Sequence, residues 1–111
     1  MTFENLLLES IDEGLACLGE RTKQAVYQHL KTKYSLSKQD IPYIIEDFTD
    51  ALEDIFQVAA KLLEIKIMKI LFRKMGDVNV SIDNPENWEF TNYIYALRNR
   101  DLLPRLSLAP Y

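Results

Sequence analysis

The stretch DALEDIFQVAAKLLEIKIMKILFRKMG, Asp50 to Gly76, decides how this chain folds. Its second half, LLEIKIMKILF, interrupts leucine and isoleucine with one glutamate and two lysines: too many charges for a bilayer span, too few for an ordinary surface helix. On a helical wheel, Ala59, Leu63, Ile67, Ile70 and Leu71 fill one arc, while Val58, Ile65, Met68, Phe72 and Met75 fill a second on roughly the opposite side. A helix apolar on two sides is either central in its own domain or covers its core with one face and a partner with the other. The first arc can pack against neighbouring helices, which makes Val58, Ile65, Met68 and Phe72 the expected subunit or partner interface. Fully burying each such side chain is worth about 1.5–3 kcal/mol, so the arc needs a cover. The rival cover is the last helix, through Trp88, Phe90 and Tyr93. Glu64 stands between the two arcs, where an unpaired carboxylate is costly; it is expected to be at least partly buried and paired, with Lys61 as the local partner.

Upstream, Ile41, Ile44, Ile45, Phe48, Leu52, Ile55 and Phe56 form the stripe of a third helix, introduced by Ser37, Asp40 and Pro42. That stripe and the first arc of the fourth helix differ in phase by only about 50°, nearly one continuous helix. An unbroken helix from Ile41 to Met75 would be about 52 Å long, more than a domain this size needs, so a break is expected at Phe56 to Val58. Before it, Phe3 to Leu18 carries Leu7, Leu8, Ile11, Leu15 and Leu18, with Thr2 as N-cap and Gly19 as stop. Glu20 to Tyr34 has the narrower stripe of Val26, Tyr27, Leu30 and Tyr34 and belongs on the surface of the bundle.

Downstream, Val78 to Ile82 alternates like a short strand, with an extended linker as the plainer reading. Asn84 and Pro85 open a last helix to about Arg98, and residues 102–111 have two prolines and no period. The expected fold is all-α, a bundle of four to five helices with a possible extended segment at 78–82. Residues 1–101 make one helical domain and 102–111 an irregular tail.

The composition narrows function more than it names one. The chain has 111 residues, 48% hydrophobic, with 13 basic and 17 acidic side chains and a net charge of −4, so nothing pulls it as a whole toward nucleic acid or anionic lipid. The start lacks a basic leader and no run is long enough for a membrane span; no membrane association and a cytoplasmic location are expected. One cysteine, Cys17, allows no internal disulfide and reads as a small buried hydrophobe rather than a reactive thiol.

Charge is unevenly placed, with one base and six acids over residues 37–56 and five bases and one acid over residues 61–76. The acidic outer face Glu46, Asp47, Asp50, Glu53 and Asp54 reads as solvated, because bundle metal sites add histidines at Glu-x-x-His spacing and His29 is the only histidine. His29 itself reads as structural. No nucleophile–base order, phosphate loop or metal motif appears, so neither an enzyme nor a cofactor is expected.

Several segments together resemble a known family. Ser10-Ile11-Asp12-Glu13-Gly14-Leu15, Leu18-Gly19-Glu20, Gln24-Ala25-Val26-Tyr27, His29-Leu30, Asp40-Ile41-Pro42 with Phe48, Leu52-Glu53-Asp54-Ile55-Phe56 and Ala60-Lys61-Leu62-Leu63-Glu64 resemble a small archaeal helical domain, the fifth of the Nitrosopumilus output domains. The resemblance covers about residues 4–76 and implies an output or coupling module, with no catalytic or cofactor residue to carry over. It leads one to expect glycine where this chain has Gln57 and Ala59.

The expected function is therefore a non-enzymatic interaction or signalling-output module, its partner a second copy or another protein. The alternative is a nucleic-acid-binding regulator using the ridge Lys66, Lys69, Arg73 and Lys74. A helix-turn-helix reading of the second and third helices fails on charge, since the carboxylates of the third would face phosphates.

Overall fold

In the computed structural model, residues 2–76 and 89–106 are described, with side chains to residue 98. α1 (Phe3–Ala16) starts where the Thr2 hydroxyl accepts the Asn5 amide at 3.1 Å, and a turn at Gly19 with φ 101° leads into α2 (Glu20–Tyr34). Ser35, in the left-handed region at φ 56°, ends α2, and the Leu36 amide returns to the Leu30 carbonyl. A 3-10 turn (Lys38–Tyr43), α3 (Ile45–Phe56), a second 3-10 turn (Gln57–Ala59), α4 (Ala60–Lys74) and α5 (Phe90–Leu106) follow. The fold is all-α. Among the described residues no helix is long and apolar enough to cross a membrane.

The expected break between α3 and α4 is present: Gln57 has φ 55° and ψ −130°, which turns the chain between the two helices. The start of α3 differs from expectation. Pro42 lies inside the 3-10 turn and Ile44, at φ −132° and ψ 50°, interrupts the helical path, so the α-helix begins only at Ile45. α5 also differs, continuing past Arg98 to Leu106 into the segment expected to be irregular. Nothing from Arg98 to Leu103 breaks a helix, and Pro104, in the last turn, lacks the N–H that a regular helix would donate four residues back. Val78 to Ile82, Asn84, Pro85, Trp88 and the last residues of the tail lie outside the described residues.

α4 is the central helix, packed against α1, α3 and α5, whereas α2 packs against α1 and adds only Val26 and Leu30 to the core. The closest approach is between α1 and α4 at Gly14, where a Cβ would lie 2.6 Å from Ile67 Cγ1. Any side chain at this position would push against the Ile67 side chain.

A polar cluster fixes α2 and the first 3-10 turn onto α1. The Asp12 carboxylate accepts from Lys23 Nζ, Lys38 Nζ and the Tyr27 hydroxyl, each at 3.1 Å, and the Lys38 ammonium lies 4.9 Å from the Tyr27 ring centre. Burial pushes the Asp12 carboxyl up, but the hydrogen bonds from Lys38, Lys23 and Tyr27 outweigh it and hold the group below its ordinary value. Burial, and then the Asp12 charge, push the Tyr27 phenol far up.

Candidate interaction surface

The helical period of α4 sorts its residues into a buried majority and one exposed stripe. Ala60, Leu63, Glu64, Ile67, Met68, Ile70, Leu71 and Phe72 are buried. Met68 and Phe72, expected at a partner interface, are 0% and 4% exposed and belong to the chain's own core. The cover is α5, whose Phe90, Ile94 and Leu97 recur at helical spacing and join the same cluster. Of the four expected interface residues, Val58 is 94% exposed and Ile65 half-buried.

Leu62, in neither arc of the wheel, is 72% exposed. It lies one turn beyond Val58, and Lys66, Lys69 and Arg73 continue the same stripe at three- and four-residue steps. Two grooves flank this stripe. One, of about 250 Å³, lies between the end of α1 and the start of α4, with Gly14, Leu18, Phe56, Ala59 and Leu62 in its almost wholly apolar wall. The other, of about 360 Å³, has Ile65 and Ile70 with Lys66, Lys69 and Arg73. Leu62 and Lys66 line both, so the grooves form one strip with an apolar floor and a basic rim.

Of the expected basic ridge, Lys74 turns back to α1, 2.7 Å from Glu13 and 3.9 Å from Glu9, and the hydrogen bond it donates to Glu13 raises its pKa. Lys66, Lys69 and Arg73 are exposed and make no ion pair among the described residues. Cys17, expected to be buried, is exposed beside the apolar groove, its thiol 3.5 Å from the Glu13 carbonyl. The end of the first helical stripe frays there, since α1 stops at Ala16 and leaves Cys17 and Leu18 in a turn. His29 is exposed, its ring edge-on to Tyr34.

The acidic face of α3 is only partly tied down. Asp54 accepts from the Tyr34 hydroxyl and pairs with Lys33 at 3.6 Å, and Glu46 accepts from the Tyr95 hydroxyl at 3.0 Å. Glu64 is 3% exposed, as the wheel leads one to expect, yet its Oε2 has no hydrogen-bond partner among the described residues. Burial, and then the Glu53 charge, push its carboxyl up to about 7, against the pull of Lys61. Among the described residues no three histidine, cysteine or carboxylate side chains come together to hold a metal ion.

No protein family, curated protein or solved structure matches the chain.

Proposed function

We propose that this chain is a protein-interaction module that acts by binding and docks an acidic amphipathic helix along the exposed stripe of α4. The observation that carries the reading is Leu62, a large apolar side chain 72% exposed where apolar and basic grooves meet. Helix-in-groove recognition takes apolar anchors at three- and four-residue steps, and the grooves beside Leu62 and Ile65 run along a helix with that spacing. Carboxylates flanking such anchors would meet Lys66, Lys69 and Arg73, which steers association and fixes orientation. The apolar floor favours a protein over a nucleic acid, whose phosphates call for more cations than this stripe offers. A second copy docked face to face would set the same cations of both chains along one seam, which is unfavourable. The output-module role implied by the resemblance is of the same kind, coupling through a docked partner.

Selection of a displayed library of helical peptides on the full chain tests this. Enriched sequences should combine apolar residues at helical spacing with flanking Asp and Glu, bind more weakly as salt rises, and lose binding to Leu62→Glu. Enriched sequences indifferent to Leu62 would reject the surface, and a wild type dimeric by light scattering but monomeric as Leu62→Glu would put a second copy in place of the acidic helix.

A further inference from the structure

On the face of the bundle away from the basic stripe, α3, α4 and the start of α5 enclose an acidic cleft of about 390 Å³, within the size range of small-molecule sites. Its wall carries the carboxylates of Glu46, Asp50 and Glu53 from α3, Glu64 from α4 and Glu89 next to α5, with Lys61 as its one base among the described residues. A row of surface acids alone would be a solvated face. Glu64 makes the difference: it is 3% exposed, lines the cleft, and its Oε2 has no donor among the described residues. A buried acceptor without a donor costs stability, and an ammonium N–H from a ligand would remove that cost. Glu46 and Glu89 accept from Tyr95 and Asn92, which fixes two of the other carboxylates at the rim.

The arrangement selects among cations. The described carboxylates do not converge into a metal-binding group, so a compact divalent ion has no ready shell. Glu46, Asp50 and Glu53 instead step along α3 at four- and three-residue intervals, about 5–6 Å per turn. The propyl and butyl linkers of a linear polyamine separate its ammonium groups by a similar distance. We propose that this cleft binds a linear polyamine, its successive ammonium groups meeting the α3 carboxylates and one of them donating to Glu64.

The proposal carries a pH signature. The groups facing Glu64 are Glu53, Asp50 and Glu46 on α3, Lys61 on its own helix and Glu89 beside α5. Cation binding favours the ionised carboxylate, and the Glu64 carboxyl stands at about 7 without ligand. Binding near neutrality should therefore release a proton, and affinity should fall as pH drops from about 8 to about 6.

Calorimetric titration of the full chain with spermidine at low ionic strength tests the site, with amide shifts of Thr49 and Thr91 to locate it. Expected are saturable binding, shifts at both lining residues, an affinity at least about tenfold lower in Glu64→Gln, and heats that depend on buffer ionisation near pH 7. Glu64→Gln keeps the side-chain shape, removes the charge and replaces one acceptor oxygen by an NH2 donor. The exposed Asp50→Asn should weaken binding in a chain whose circular dichroism is unchanged, which guards against a folding effect. Equal affinity in wild type and Glu64→Gln, or displacement of spermidine by magnesium at equal charge, would overturn the proposal and leave only a screened acidic surface.

Discussion

Gln57 occupies a backbone conformation that side chains with a Cβ rarely adopt, φ 55° and ψ −130°, and it does so where the chain must reverse from α3 into α4. Its side-chain Nε2 donates to the Asp54 carbonyl at 2.7 Å, capping the end of α3 but not relieving the backbone. Glycine reaches this region without a Cβ penalty. Gln57→Gly should therefore stabilise the chain by about 1 kcal/mol in urea denaturation despite the lost side-chain hydrogen bond; a loss of stability would mean that the cap matters more than the strain. The existence of this break was legible in the sequence through helix length alone. Its conformation was not, because nothing about glutamine announces a positive φ. Glu64 divides in the same way. Its burial follows from its place between two apolar arcs, but its unpaired oxygen depends on where α3 and α5 put their own polar groups.

At the scale of elements, the contact between α1 and α4 sets the geometry of the bundle, and Gly14 sets the contact. An alanine there would gain about 1 kcal/mol of helix propensity but drive its methyl into Ile67 Cγ1, a branch too close to the backbone to swing away. Gly14→Ala is expected to lower stability by about 1–2 kcal/mol, measured by urea unfolding; a more stable variant would show that the two helices separate at little cost. Helix boundaries were legible where local chemistry marks them, as at Thr2 for the start of α1 and at Glu20 and Tyr34 for α2, whereas α1 ends at Ala16, short of the Leu18 expected before Gly19. The beginning of α3 was not, since Ser37, Asp40 and Pro42 suit the first turn of an α-helix as well as the 3-10 turn that forms. The extension of α5 past Arg98 was not legible, because two prolines and a fading period mark residues 102–111 more strongly than the lack of breakers before Pro104 does.

Across the whole molecule, the question posed by α4 is which of its faces the rest of the chain covers. The sequence admits two answers for Met68 and Phe72, because the choice depends on the docking of α5, a contact between residues far apart along the chain. In the folded chain α5 takes that face, and what remains outward is Leu62 with the cations beyond it. Leu62 falls outside both arcs of the wheel, where a single leucine carries no periodic signal. α4 turns Met68 inward and Leu62 outward, so that the surface available for binding is the Leu62 stripe. Thermal unfolding of two charge substitutions, followed by circular dichroism, distinguishes this arrangement from the reverse one. Leu62→Glu should melt within about 0.5 kcal/mol of wild type, as surface substitutions do, whereas Met68→Glu should lose more than about 3 kcal/mol or fail to fold. A destabilised Leu62→Glu beside a tolerated Met68→Glu would mean that α4 buries Leu62 and turns Met68 to solvent.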